Sequence, residues 1–260
     1  GFIMAKIMSL AQAISLHVQD GDAVALEGFT HLIPFAAGHE IIRQGRKNLH
    51  LIRMTPDLIY DQMIGMGCAE RLTFSWGGNP GVGSLHRLRD AVENHWPHSL
   101  AINEHTHAGM ASAYTAGASH LPFGMLRGYI GTDLSRVNPS IKSVQCPFTD
   151  ERLTAVPAIN PDVTILHAQQ ADRKGNVRME GITGAGREAG LAAKKLIVTV
   201  EEIVDEFTPQ MNAVLLPHWL VTAVAECSGG AYPSYAQGYY PRDNRFYQDW
   251  DAIARDRQPF

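Results

Sequence analysis

The chain has 260 residues, of which 45% are apolar and 18% charged, and a formal net charge of −4. That composition is enough for a large buried core and excludes a disordered chain, while the lack of any lysine–arginine block excludes a surface that tracks nucleic-acid phosphates. No apolar run reaches the ~20 residues of a bilayer-spanning helix, the opening residues lack a signal-peptide charge pattern, and Cys68, Cys146 and Cys227 form no C-x-x-C pair, so a cytoplasmic protein with reduced thiols and no membrane partner is expected.

Strand and helix patterns alternate along the chain. Leu10, Ala11, Ile14 and Val18 recur at helical spacing, and Asp20-Gly21-Asp22 closes that helix. Ala23-Val24-Ala25-Leu26 is short and wholly apolar, as a strand covered on both faces should be. A helix follows Pro34 and carries Phe35, His39, Ile41 and Ile42, and Leu49-His50-Leu51-Ile52 forms the next strand. Helical patterns at 57–66 and 86–95 flank the strand Arg71-Leu72-Thr73-Phe74-Ser75. In the second half, Val163-Thr164-Ile165-Leu166-His167 reads as a strand, 188–195 as a helix, and Leu196-Ile197-Val198-Thr199-Val200 as the strongest strand of all. The pattern predicts an α/β fold: an open, mainly parallel sheet with helices on both faces, in one domain spanning 4–260. The proline-rich stretch 139–161 is expected to be a long functional or interface loop. The aromatic tail 232–260 is expected either to form an interface or to dock on its own domain.

Three segments carry residue types suited to chemistry. Glu27-Gly28-Phe29-Thr30-His31 follows a strand, and its glycine permits close approach of backbone to ligand. No G-x-G-x-x-G is present, which disfavours a nicotinamide or flavin cofactor, and none is expected. Trp76-Gly77-Gly78-Asn79-Pro80-Gly81-Val82-Gly83 exposes many backbone N–H groups able to hold an oxyanion or pantetheine arm, and it lacks the lysine of a nucleotide-hydrolysing loop. Glu104-His105-Thr106-His107 follows the apolar run Leu100-Ala101-Ile102-Asn103. A carboxylate at the end of a buried strand has its pKa raised by desolvation and suits proton transfer; a plainer role is favourable contact with the following helix dipole. The H-E-x-x-H spacing is absent, so no metal is expected there.

The chain resembles the α subunits of class I CoA-transferases of the glutaconate CoA-transferase type. The resemblance begins at Asp20-Gly21-Asp22, Ala25-Leu26-Glu27-Gly28-Phe29 and Glu40-Ile41-Ile42-Arg43-Gln44-Gly45, and continues at Leu121-Pro122-Phe123. It is strongest through Ala155-Val156-Pro157-Ala158-Ile159-Asn160-Pro161-Asp162-Val163 and Ile165-Leu166-His167-Ala168-Gln169-Gln170-Ala171-Asp172. Gly175-Asn176-Val177, the run from Ile197-Val198 to Glu201-Glu202-Ile203, and Gly230-Ala231-Tyr232-Pro233-Ser234 extend it over nearly the whole chain. The resemblance implies a CoA-thioester substrate and a β subunit of the same superfamily, in an α2β2 assembly with a shared active site. In that family the nucleophilic glutamate lies in a Ser-Glu-Asn-Gly type motif of the β subunit, and no such segment exists here.

Within the superfamily the branch of bacterial steroid ring-cleaving hydrolases stands nearest in this reading, because the α subunit carries its catalytic glutamate, at the motif position of Glu104. Glu27 stands where transferase α subunits carry a small residue. The activity so implied is hydrolytic, retro-Claisen opening of the last ring of a cholesterol-derived CoA thioester. Glu104 would be general base, with backbone donors at Gly28, Gly77 and Gly78, Asn79 beside them, and Arg127 pairing a substrate carboxylate. His31 and His105 are secondary candidates, and Glu27 completes the substrate-binding set. Two alternatives remain open: CoA transfer between acids with the nucleophile on the β subunit, and a non-catalytic scaffold subunit.

Overall fold

In the computed structural model the described residues are 6–75, 85–128, 138–181, 184–208 and 210–258. The expected open α/β sheet is present. Eight strands run parallel in the order β1 (Lys6–Ile7), β13 (Ala223–Glu226), β11 (Lys195–Val204), β9 (Val163–Asp172), β2 (Ala23–Leu26), β3 (Leu49–Arg53), β4 (Ala69–Ser75) and β5 (Ala101–His105). Antiparallel β10 (Val177–Met179) extends from the end of β9 and pairs with β12 (Val214–Leu216). The strand order reverses between β2 and β9: β3, β4 and β5 follow on one side, β11 and β13 on the other. Ligands of open α/β sheets bind in the crevice at the carboxyl ends of the strands flanking such a reversal.

The alternation of side chains along β2 divides the core. Val24 and Leu26 face a layer containing α1 (Leu10–His17), α2 (Phe35–Arg43) and α3 (Leu58–Gly65). Ala25 faces the opposite layer of α5 (His107–Ala118) and α6 (Gly186–Ala192), where Met110, Tyr114, Ala189 and Ala192 are buried. A strand covered on both faces must be apolar throughout, which is why 23–26 lacks the polar alternation of a half-exposed strand. Helix starts follow local chemistry. Ser9 and Gln12 form a reciprocal capping box at α1, and the Thr106 hydroxyl accepts from Gly109 N–H at 3.1 Å at the start of α5. The helix expected over 86–95 is α4 (His86–Asn94), and the one expected over 188–195 ends earlier, because Lys195 already belongs to β11.

Two expectations are corrected. The stretch 139–161 is not a long loop: it contains β7 (Lys142–Gln145) and β8 (Arg152–Pro157), which form a three-stranded antiparallel sheet with β6 (Phe123–Leu126). Prolines at its margins hid two short strands whose solvent-facing side is polar. Second, β5 is not a buried strand. It is the last strand of the parallel sheet among the described residues, and Ala101 and Ile102 are exposed. Of the two options for the aromatic tail, docking on its own domain is the one observed. The tail folds as α7 (Asn244–Ala254), which buries Tyr247 and Trp250 in the main core, while Tyr232 and Tyr239 remain exposed.

Candidate active site

A cavity of about 260 Å³ opens at the carboxyl ends of β2 and β3, beside the strand reversal. Glu27 and Gly28 line it from the end of β2, and Arg53, Met54, Thr55 and Asp57 from the end of β3 and the turn into α3. His107 closes it from the first turn of α5, and Arg242 and Tyr247 from the C-terminal segment.

Its floor is a buried charge network. Arg53 lies 3.6 Å from Glu27 through Nε, donates to Asp57 Oδ2 at 3.1 Å, and donates to the carbonyls of Leu26 and Gly28 at 2.8 and 3.2 Å. The Tyr114 hydroxyl donates to Glu27 Oε2 at 2.7 Å, and Met54 N–H donates to the same oxygen at 3.1 Å. Burial pushes the carboxyls of Glu27 and Asp57 above their usual range, against the opposing pull of Arg53. Arg53 itself is held charged: burial works against its cation, but Asp57 and Glu27 outweigh that effect. Glu27 is therefore tied on three sides, an arrangement that fixes a wall rather than presenting a nucleophile. Asp57 is 5% exposed and keeps one carboxylate oxygen, Oδ1, without a hydrogen-bond partner, while its Oδ2 is held by Arg53.

The loop over this network is under backbone strain. Thr30 and Leu32 occupy the left-handed region at φ 60° and 53°, conformations that cost non-glycine residues and cluster at functional sites. Gly28 is required by the fold of the same loop, because a Cβ there would lie 2.9 Å from the His31 carbonyl and 3.0 Å from that of Leu32.

The other expected site residues are placed differently. His31 is fully buried beside the cavity rather than in it, stacked on Tyr235 with ring centroids 4.7 Å apart. Glu104 lies near the end of β5 in register with Phe74 and is half-buried; its carbonyl accepts from Asn138 Nδ2 at 2.8 Å, and it does not line the cavity. His105 is a core histidine whose pKa is lowered by burial. The side chain of that cluster that does reach the cavity is His107, whose Nε2 lies 3.2 Å from the Thr55 hydroxyl. Arg127 is corrected outright: it sits on the solvent side of the small sheet, 81% exposed, in a two-pronged pair with Glu151 at 2.8 and 3.2 Å. Gly77, Gly78 and Asn79 lie outside the described residues.

Arg53, Asp57, Arg242 and Tyr247 are not singled out by the sequence patterns. A signal exists for Arg53: a cation closing the apolar run Leu49-His50-Leu51-Ile52, followed within four residues by Asp57. Arg242 and Tyr247 reach the site from the far end of the chain, and no spacing announces that. A second buried cluster lies nearby on β9 and β11. His167 sits 2.9 Å from Glu201 Oε1 and 2.7 Å from the Thr199 hydroxyl, and Tyr240 and Gly229 N–H donate to Glu201.

Residues 7–227 match the family described as Coenzyme A transferase. The chain belongs to that family. It is 65% identical over 257 residues, 99% of its own length and 91% of the relative's, to a 3-oxoadipate CoA-transferase subunit of Pseudomonas knackmussii. The crystal structure of glutaconate coenzyme A-transferase from Acidaminococcus fermentans superposes with a TM-score of 0.85 at 30% identity, covering 97% of this chain and 85% of that one. The decarboxylase AibA/AibB superposes at 0.86 and 30% identity, covering 97% and 95%. The chain is thus an α-type subunit of the class I CoA-transferases.

These findings overturn the steroid-hydrolase expectation. The cholesterol ring-cleaving hydrolase IpdA subunit of Rhodococcus jostii is only 28% identical over 170 residues, 61% of this chain and 57% of its own length. A chain 65% identical to a transferase subunit over nearly its whole length does not fall in that branch. The hydrolase and lyase chemistry, and the assignment of Glu104 as base for ring opening, fall with it.

Proposed function

We propose that this chain is the α subunit of a heteromeric CoA-transferase that exchanges CoA between an acyl-CoA donor and a 3-oxodicarboxylate of the 3-oxoadipate class. The observation that carries this reading is the 65% identity to a 3-oxoadipate CoA-transferase subunit over 99% of the chain. The cavity geometry supports it. The glutamate on the cavity floor beside the strand reversal, Glu27, is locked by Arg53, Tyr114 and Met54 N–H. The attacking carboxylate then comes from the β subunit, and this chain, acting as one domain over 4–260, supplies the opposing wall.

The β-subunit carboxylate adds to the donor thioester carbonyl. The C–S bond breaks, CoA leaves as thiolate, and a mixed anhydride remains. The thiolate adds to the glutamyl carbonyl, the donor acid departs as carboxylate, and a glutamyl-CoA thioester forms. The same two steps in reverse with the acceptor acid deliver acyl-CoA and restore the carboxylate. Here the tasks of this chain are to hold the acyl group in the cavity and keep bulk water from the anhydride. In the complex isolated with its own β subunit, 3-oxoadipate and a succinyl-CoA donor should give 3-oxoadipyl-CoA and succinate in equal amounts. Release of free CoA without a new thioester would overturn the transferase reading.

A further inference from the structure

We infer that Thr55 and His107 form a hydrogen-bonding pair that reads the 3-oxo group of the acyl chain, with Thr55 as the specificity-determining residue and His107 as the residue that positions its hydroxyl. The inference rests on the transferase reading above. The cavity walls contributed by Phe29, Ile33, Met54 and Ala185 are apolar and suit the methylenes of a short acyl chain. A volume of about 260 Å³ accommodates a six-carbon acyl group. A 3-oxo acid differs from the plain dicarboxylic acid by one uncharged acceptor along that chain. Between apolar walls with no donor at hand, its carbonyl would give up hydrogen bonds to water without compensation.

The charged groups around this space are engaged with one another. Arg53 is shared between Glu27 and Asp57, and Arg242 lies against the Tyr247 ring and faces Asp57. Thr55 and His107 reach the cavity from two different elements and meet there, with His107 Nε2 3.2 Å from the Thr55 hydroxyl. A hydroxyl has one proton to donate and two lone pairs to accept with. Among the described residues, His107 is the one side chain hydrogen-bonded to the Thr55 hydroxyl. With the ring proton on Nε2, the imidazole donates to Thr55, and the Thr55 O–H is left to donate to a ligand carbonyl. With the proton on Nδ1, Thr55 donates to the ring and the Nδ1–H is left instead. Either way the pair keeps one donor that its own bond does not use. Both members are held in place. Thr55 precedes Pro56, which confines its backbone to the extended region, and its branched Cβ restricts χ1. His107 stands in the first turn of α5, whose start is fixed by the Thr106 cap on Gly109 N–H. Thr55 is half-buried and His107 exposed, so a ligand meets the pair without displacing a core contact.

The test uses the αβ complex with succinyl-CoA as donor. It compares the KM for 3-oxoadipate with the Ki of adipate, which lacks the 3-oxo group, as a competitor of that acceptor. In Thr55→Val the KM for 3-oxoadipate should rise by about 3- to 10-fold, the loss of one hydrogen bond, while the Ki of adipate moves by less than about twofold. Thr55→Ser, which keeps the hydroxyl, should keep the wild-type ratio of the two constants. His107→Phe, which keeps a ring but no nitrogen, should shift the ratio in the same direction as Thr55→Val, and it stands in for that variant should Thr55→Val fail to fold. A ratio that stays at the wild-type value, because both constants move together or neither moves, would overturn the assignment while leaving CoA transfer by the wild type intact. Failure of the wild-type complex to form 3-oxoadipyl-CoA would instead count against the underlying reading.

Discussion

The Tyr114 hydroxyl donates to Glu27 Oε2 at 2.7 Å, tying α5 on one face of the sheet to the carboxyl end of β2. That hydrogen bond and the Arg53 contacts make Glu27 part of the scaffold of the cavity, even though it is an acid in a candidate active site. Removing it strands a buried guanidinium with only Asp57 and two carbonyls for company. Glu27→Ala should cost about 3–5 kcal/mol of unfolding free energy, the range for breaking a buried pair. Tyr114→Phe should cost about 1–3 kcal/mol. Urea midpoints of the two variants check both numbers.

Glu104, in contrast, is half-buried near the end of the last strand of the parallel sheet among the described residues, and lies off the cavity lining. Glu104→Gln in the complex should leave the rate of CoA transfer within about twofold of wild type, as expected of a surface substitution. A loss of two or more orders of magnitude in steady-state assays would place this carboxylate in the chemistry after all.

Asp61, in α3, joins three helices, accepting from Leu88 N–H at 2.8 Å in α4 and from Trp250 Nε1 at 3.0 Å in α7. Burial pushes its carboxyl up to about 6, above the ordinary aspartate value near 3.9. The native state therefore holds this proton more tightly than the unfolded chain. The resulting stabilisation is complete below about pH 4 and is lost as pH rises through about 6, an effect on the order of 2–3 kcal/mol. Asp61→Asn should flatten the pH dependence of stability in that window, measurable as thermal midpoints between pH 4 and 7.

Helix α5 presses against the chain at Ile159. A Cβ on Gly117 would lie 2.1 Å from the Ile159 carbonyl oxygen and 3.1 Å from Asn160 Nδ2, and Asn160 itself bridges the Gly117 and Ala192 carbonyls. The obstacle is backbone and cannot rotate away. Gly117→Ala should destabilise by about 1–3 kcal/mol, reversing the usual gain of alanine over glycine inside a helix. A stabilised variant in chemical denaturation would show that α5 can move.

The parallel sheet is legible in the sequence because its central strands are covered on both faces. The apolar run 23–26 and the β-branched run 196–200, broken only by Thr199, read as buried strands between helices. The small antiparallel sheet is not, since Lys142, Ser143 and Arg152 point polar atoms to solvent and prolines stand at its margins. At the site, Glu27 and Gly28 stand out from their place after a strand. Arg53 and Arg242 escape because a cation is conspicuous only when its burial is known, and burial is a tertiary fact. Glu104 draws attention for the complementary reason: the apolar run before it suggests a buried strand, but that strand is the last of the sheet among the described residues and Ile102 is exposed. Glu104 and Glu27 are two positions, and identity over the whole chain outweighs them.

The central claim is that this chain forms a wall of a CoA-transferase site whose nucleophile belongs to the β subunit. Incubating the αβ complex with acyl-CoA, reducing with borohydride and mapping both chains by mass spectrometry tests it most directly. One reduced glutamate is expected on the β subunit, with none on this chain. Reduction of Glu27 or Glu104, or turnover to free acid and CoA with neither chain modified, would contradict it.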